Sequence, residues 1–323
     1  MPDQKTRTVR MTEGTNHHIL HINPTNARAR RKLCKGILRT TMKRVLARNP
    51  PVRFQRAWTK AILKSVAKPS SVTIDTRQIG GRTVHVLTPT GADDAGRILF
   101  LHGGAYVLGG DGAYLGYAAQ MARATRRVVW LPDYRLAPEH AYPAAVDDAL
   151  ASYDAMIAEG TRAENICLLG DSAGGGLCAS TALALKARSG GMAGALVLMS
   201  PWTDLTMSGQ SVERLARRDP MIDPAWGRAS RFGYAGERPL DDPMLSPLFA
   251  QLGGLPRTLI QVGSEEVLLS DSLRFANALQ AAQVSVSCEV YDDLWHDFQM
   301  QIGLLPDATR AVDRIRRFLD RAA

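Results

Sequence analysis

The sequence predicts an α/β fold, with a mainly parallel central sheet that is flanked by helices and carries a helical cap. Two observations support this prediction. Short apolar runs alternate with helical patterns from about residue 97 to the end of the chain, an order typical of parallel sheets with both faces covered. A Gly-x-Ser-x-Gly pattern at residues 170–174 also joins an apolar run to a helical run, which is a strand–turn–helix arrangement with a sharply bent turn.

Composition and charge indicate one large domain with a smaller addition. The chain has 323 residues, of which 45% are hydrophobic, enough for a substantial core. Residues 1–68 carry 17 Lys and Arg against 2 Asp and Glu, whereas the rest of the chain carries 23 against 29. The net charge of +9 therefore belongs to one segment, which argues against a nucleic-acid-binding protein. We divide the chain into a basic N-terminal cap segment at 1–70 and a main domain at 71–323, with a cap insertion at about 205–240.

The cysteines and the apolar runs favour a cytoplasmic, soluble protein. Cys34, Cys167, Cys178 and Cys288 are scattered without a C-x-x-C pair, so we expect buried free thiols and no disulfides. No apolar run approaches the roughly 18 residues that span a bilayer. The polar start of the chain lacks the apolar stretch of a secretory signal.

The first 27 residues are polar and show no periodicity. His17, His18 and His21 lie there without further metal-ligating side chains nearby. We therefore expect an ordinary loop and no metal site.

Two basic amphipathic helices are predicted next. The first runs from Arg28 to Arg48 and ends before Pro50-Pro51; its predicted apolar side consists of Leu33, Ile37, Leu38, Val45 and Leu46. The second has its apolar residues four apart, at Phe54, Trp58, Ile62 and Val66. Such helices either pack as a lid on the neighbouring domain, which we favour, or lie on an anionic membrane surface.

The remaining elements follow in chain order. Strands Val72–Ile79 and Arg82–Thr88 form a hairpin that turns at Gly80-Gly81. The further predicted strands are Arg97–Leu101, Arg127–Leu131, the run that ends at Gly170, Ala195–Met199, Thr258–Val262 and Ser285–Val290. The predicted helices are Tyr114–Ala124, Pro143–Ile157, Leu177–Arg188, Asp271–Ala282 and Ala308–Arg321. Residues 205–240 are polar and Arg-rich and break the alternation, so we interpret them as an insertion over the site.

The turn at residues 170–174 predicts a nucleophile, Ser172. Glycine on both sides of the serine permits a tight turn, because larger side chains would collide with the strand or the helix. The turn raises the hydroxyl clear of the backbone and places it at the positive end of the helix dipole.

A glycine-rich turn follows the strand that ends at Leu101. It reads His102-Gly103-Gly104-Ala105-Tyr106, and such a turn can direct backbone N–H groups at a developing negative charge. We predict an oxyanion hole from Gly103 and Gly104, with help from Ala105 and together with the N–H of Ala173 after the nucleophile. His102 is expected to orient this loop.

A serine hydroxyl needs a base, and the base needs an acid behind it. When the chain order is Ser, acid, His, His296 is the histidine that follows Ser172. The acid must lie between these two residues at the end of a strand. Glu265 and Glu266 both follow such a strand, and the residues alone do not separate them. Asp204 and Asp271 are also eligible, although Asp271 is expected to cap its helix.

These motifs together resemble the hormone-sensitive-lipase family of α/β-hydrolase esterases, over roughly residues 70–323. His102–Tyr106 is similar to the family's H-G-G-G-[FY], with Ala105 in place of the third glycine. Residues 170–175 match its G-D-S-A-G-G. The segment Y-R-L-A-P-E-H at 134–140, which runs on to Tyr142-Pro143-Ala144-Ala145, matches its Y-R-L-A-P-E-x-P-[FY]-P-A. Arg135 and Glu139 would then support loops.

The resemblance implies a serine carboxylesterase, or acyl hydrolase, for short-to-medium acyl esters, including a lactone or an acetylated metabolite. Glu266-Val267-Leu268 aligns with the family's D-P-L, so Glu266 is the expected acid in a Ser172–His296–Glu266 triad. No metal or cofactor is implied. The expected partner is a small-molecule ester, and a homodimer is left open. Membrane contact by the basic helices is the less favoured interpretation. The alternative function is a non-catalytic small-molecule receptor on the same fold, as in the gibberellin receptors of plants.

Overall fold

The computed structural model describes residues 18–92, 96–188 and 191–321. Within these residues nine strands form one sheet, in the order β1-β9-β8-β7-β6-β4-β5-β3-β2. The strands are β1 (Ile19–Ile22), β2 (Val72–Ile79), β3 (Arg82–Pro89), β4 (Arg97–Leu101), β5 (Val128–Pro132), β6 (Ile166–Asp171), β7 (Ala195–Met199), β8 (Thr258–Gly263) and β9 (Val286–Tyr291). β2 and β3 pair antiparallel, β3 pairs antiparallel with β5, and the other neighbours are parallel. The predicted α/β class is confirmed.

Helices cover both faces of the sheet. They are α1 (Arg28–Leu38), α2 (Arg44–Leu46), α3 (Val52–Lys64), α4 (Leu115–Thr125), α5 (Ala144–Ala158), α6 (Ala173–Ala187), α7 (Gln210–Arg214), α8 (Pro224–Ala235), α9 (Leu269–Ala281) and α10 (Pro306–Asp320), and a π-helical turn at Arg39–Lys43 links α1 to α2. In this part of the chain none of them is long and apolar enough to cross a lipid bilayer.

Alternating residues of each central strand pack into two separate cores. On β4, Leu99 and Leu101 join the core under α5, α6 and α9, while Ile98 and Phe100 join the core under α4 and α10. Successive side chains of a strand point to opposite faces, so a strand buried on both faces must be apolar throughout. The four cysteines are buried free thiols, as the sequence predicts.

The N-terminal segment departs from two expectations. The structure places strand β1 within residues 18–27, for which the sequence analysis expects only a loop, and β1 pairs in parallel with β9 at the sheet edge. His17 lies outside the described residues, whereas His18 contacts Asn277 and His21 contacts Asp292. In the described part of the chain no group of three or more His, Cys, Asp and Glu side chains could hold a metal ion.

The apolar faces predicted for the two basic helices are partly wrong. From α1 to α2 the buried apolar side chains are Cys34, Met42 and Leu46. On α3 the fully buried side chains are polar, Gln55 and Thr59. Leu33, Ile37, Phe54 and Trp58, which the sequence pattern assigns to the packed side, are instead exposed to solvent.

Candidate active site

Ser172 lies between the end of β6 and the start of α6, in a strained backbone conformation. Its φ of 53° and ψ of −121° are rare for a residue with a side chain and mark stored strain. Its N–H donates to Met199 O at 2.8 Å, and its carbonyl accepts from the Trp202 N–H at 2.9 Å. A Cβ atom on Gly174 would lie 1.9 Å from Leu101 O. Position 174 therefore has room only for glycine.

His296 follows β9 and lies against Glu266, which follows β8. The His296 Nδ1 atom is 3.3 Å from Glu266 Oε1. The other carboxylate oxygen, Oε2, accepts hydrogen bonds from Ser200 Oγ at 2.8 Å and from the Gly263 N–H at 2.7 Å. Burial raises the pKa of the Glu266 carboxyl, although His296 and the hydrogen bond from the Gly263 N–H oppose the shift. The acidic group behind the imidazole is thus fixed from three sides.

The other candidate acids contact different partners. Glu265 forms an ion pair with Lys35 on α1. Asp204 pairs with Arg274. Asp271 does not cap its helix, because its carboxylate accepts the N–H groups of Thr203 and Asp204. Of the four, Glu266 is the one that contacts the imidazole.

Asp297 is a second carboxylate at the imidazole, and the sequence analysis misses it. Its Oδ2 atom lies 3.1 Å from His296 Nε2, the nitrogen on the side away from Glu266, and its Oδ1 is buried without a hydrogen-bond partner among the described residues. Burial alone would lower the pKa of His296, but the Asp297 and Glu266 carboxylates outweigh it and raise that pKa well above its usual value. The H-D-F string gives no signal of this contact, because it depends on the left-handed backbone of Asp297.

Gly103 is not available as an oxyanion donor, which corrects the sequence-based assignment. Its N–H donates to Asp171 Oδ1 at 3.0 Å. By contrast, the described residues provide no hydrogen-bond partner for the N–H groups of Gly104, Ala105 and Ala173. Ala105 has a left-handed φ of 53°, a conformation that costs a non-glycine residue about 1–3 kcal/mol. The loop therefore offers N–H groups from Gly104 and Ala105 in place of Gly103.

His102 supports this loop from beneath. Its Nδ1–H donates to Gly103 O at 2.8 Å, while its Nε2 accepts from the Gly110 N–H at 3.3 Å. The ring is stacked between Tyr134 and Tyr114, at centroid distances of 4.2 Å and 5.0 Å. Burial lowers the pKa of His102, so the ring is neutral and can both donate and accept, as an orienting residue must.

Two cavities meet at Ser172, and His296, Ile222 and Trp226 also line both of them. The larger cavity lies under the N-terminal helices. It is further lined by Met42, Leu46, Thr59, Leu63, Gly104, Leu108, Gly109, Tyr114, Met221, Asp297 and Met300. The smaller cavity is further lined by Ala105, Trp202, Met207, Gly227, Val267 and Leu268. Both are mainly apolar.

Comparisons with known proteins agree with this architecture. A family model described as the alpha/beta hydrolase fold matches residues 98–300. A crystal structure of an esterase from the bacterial hormone-sensitive lipase family superposes with a TM-score of 0.85 at 33% identity, over 90% of this chain and 97% of that one. The chain belongs to this family of α/β-hydrolase esterases. The resemblance inferred from the motifs is thereby confirmed.

Two curated relatives of this hormone-sensitive-lipase family member are also close in sequence. An esterase of Acinetobacter venetianus is 37% identical over 223 residues, which cover 68% of this chain and 73% of the relative. An acetyl-hydrolase of Streptomyces hygroscopicus is 33% identical over 245 residues, which cover 76% and 82%.

Side chains of α3 fasten the N-terminal helices of this family member over the site. Arg56 donates to Val107 O and Ala137 O, each at 2.8 Å, and forms an ion pair with Glu139. The Trp226 indole N–H on α8 donates to Gln55 Oε1 at 2.7 Å. The contact between Gln55 and Trp226 joins the basic segment to α8, and together they form a roof over the larger cavity.

Proposed function

We propose that the protein is a serine carboxylesterase that hydrolyses short-to-medium acyl esters through a covalent acyl-enzyme. The observation that carries the proposal is that Ser172, on its strained turn, shares both cavities with His296, which has Glu266 behind it. Membership of an esterase family supports the same reaction class.

In the first half-reaction, Ser172 Oγ attacks the ester carbonyl carbon while His296 Nε2 takes the hydroxyl proton. Glu266 holds Nδ1–H and stabilises the imidazolium that forms. The oxyanion accepts hydrogen bonds from the N–H groups of Gly104, Ala105 and Ala173, each worth about 2.7–4 kcal/mol of barrier. The imidazolium then protonates the leaving alkoxide. The alcohol departs and the acyl group stays on the serine.

In the second half-reaction, water attacks the acyl-enzyme while His296 accepts its proton. The tetrahedral intermediate collapses, the Ser172 oxygen recovers the proton, and the carboxylic acid is released. For both halves Nε2 must turn from Asp297 to the serine, an adjustment of the kind that catalytic hydrogen bonds show between free and substrate-bound enzymes. In the free enzyme Asp297 favours a protonated His296, which must lose that proton before Ser172 can react.

The two cavities favour an uncharged ester with at least one small side. We infer that the smaller cavity, closed by Trp202, Met207 and Leu268, takes the acyl group, and that the larger one takes the alcohol. Narrow apolar pockets of this kind bury small organic groups, whereas a long acyl chain needs more room. Acetyl esters fit this inference, and the similarity to an acetyl-hydrolase supports them.

The test is hydrolysis of a series of p-nitrophenyl esters from acetate to dodecanoate by the wild type and by Ser172→Ala. We expect the highest kcat/KM for the short acyl chains, a steep fall for the long ones, and a loss of at least about 10⁴-fold in the variant. A wild type that binds the esters without hydrolysing them would indicate a receptor and would contradict the proposal.

A further inference from the structure

The outer face of the N-terminal helices exposes large apolar side chains. Leu33 and Ile37 on α1 are 61% and 49% exposed, and Phe54 and Trp58 on α3 are 50% and 37% exposed. Scattered exposed apolar residues are ordinary, but a contiguous group marks a contact surface.

Their spacing and contacts place them on one strip. Leu33 and Ile37 are one helical turn apart, as are Phe54 and Trp58, whose rings stack at a centroid distance of 6.3 Å. The Trp58 indole N–H donates to Thr41 O at 2.9 Å, one turn beyond Ile37. The two pairs thus adjoin across the contact between the helices. We call Leu33, Ile37, Phe54 and Trp58 the apolar stripe.

The charges on the helical segment that carries the apolar stripe all have one sign. Residues 18–68 contain fourteen Lys and Arg and no Asp or Glu. Four of these cations form ion pairs with carboxylates of the main domain. Nine others are exposed and have no carboxylate partner in the described part of the chain, among them Lys32 and Arg53, which directly precede Leu33 and Phe54 in sequence.

This combination selects one class of partner. A second copy seated on the stripe about a two-fold axis would set cations against cations. Nucleic acid would match the cations but not the aliphatic side chains. Aromatic and aliphatic side chains bordered by Lys and Arg suit the boundary between headgroups and acyl chains of an anionic bilayer. We propose that the apolar stripe and its exposed cations dock the protein on an anionic lipid surface.

The inner side of the same helices faces the site. Inner residues of the same helical segment, Met42, Leu46, Thr59 and Leu63, line the larger cavity beside Ser172. Docking therefore holds the roof of the cavity against the lipid, where apolar esters concentrate. The docking is independent of the proposed function, whereas delivery of lipid-dissolved esters rests on it.

The test is sedimentation of the full chain with vesicles of phosphatidylcholine, with and without phosphatidylglycerol, at low and high salt. We expect binding only to the anionic vesicles and weaker binding at high salt. Arg53→Gln should weaken it about fivefold, and Phe54→Ser about five- to tenfold. Phe249→Ser is the matched control, because Phe249 is 41% exposed outside the cap, and should bind as the wild type does.

Circular dichroism of each variant verifies the fold. Ser172→Ala should bind vesicles like the wild type, which separates docking from hydrolysis. Equal binding to neutral vesicles, or an unchanged affinity in Phe54→Ser, would overturn the proposal. So would a dimer in ultracentrifugation that Phe54→Ser dissociates, or retention of DNA without retention of anionic vesicles.

Discussion

Replacing Glu266 by Gln tests the acid behind His296 with almost no change of shape. In the variant the amide oxygen can take the place of Oε2 and accept from Ser200 Oγ and the Gly263 N–H, as Oε2 does now. The amide NH₂ then faces His296 Nδ1 and donates to it. The imidazole proton is thereby forced onto Nε2, which can no longer accept the proton of Ser172. The variant should fold normally and react slowly.

The size of the effect follows from the geometry. At 3.3 Å between His296 Nδ1 and Glu266 Oε1, and at an effective dielectric constant of about 20, the carboxylate stabilises the imidazolium by about 5 kcal/mol. Loss of this stabilisation in the transition state lowers kcat by about 10³- to 10⁴-fold.

The assay is kcat for p-nitrophenyl acetate, with Glu265→Gln as the neighbouring control. Glu265 pairs with Lys35, so its variant should keep kcat within about threefold of the wild type. A Glu266→Gln variant that retains more than about a tenth of kcat would refute the reasoning, as would an equal loss in Glu265→Gln.

Two further outcomes follow from the structure. The Asp297 carboxylate helps to raise the pKa of His296, and catalysis needs the neutral imidazole, so kcat/KM should rise as the pH passes upward through that pKa. The Asp297→Asn variant should show this rise at lower pH. A pH–rate profile that does not move would exclude the contact between Asp297 and His296. Gly103→Ala would place a Cβ atom 2.4 Å from Asp171 Oδ2 and should lower the free energy of unfolding by about 1–3 kcal/mol. Gly36→Ala is the control, because a Cβ atom at this position of α1 would have no other atom within 4 Å. Its free energy of unfolding should rise by up to about 1 kcal/mol, and denaturant titration compares the two variants.

The sequence predicts an element of the fold or the site correctly where neighbouring residues alone determine it. The turn around Ser172 and the strands before it can be predicted, because the glycines and apolar residues that determine them are consecutive in the chain. The sequence does not predict β1, because its four residues form a strand only by pairing with β9, more than 260 residues away. Local spacing cannot reveal such a partner.

The prediction of which helix faces are buried in the basic segment is wrong for the same physical reason. Gln55 is buried on α3 because the Trp226 indole, 171 positions away, donates to it, while Phe54 stays outside. The Gly103 assignment failed because the Asp171 carboxylate already accepts its N–H. A sequence motif predicts where the loop lies, but the direction of each N–H group depends on the folded backbone.

The most direct measurement of the central claim is covalent labelling with diethyl p-nitrophenyl phosphate, read by peptide mass spectrometry and by residual esterase activity. The phosphoryl group should occupy Ser172 at one equivalent per chain, in step with the loss of activity, and Ser172→Ala should remain unlabelled. Full inactivation with the label on another residue, or a Ser172→Ala variant that still hydrolyses esters at the wild-type rate, would contradict the account.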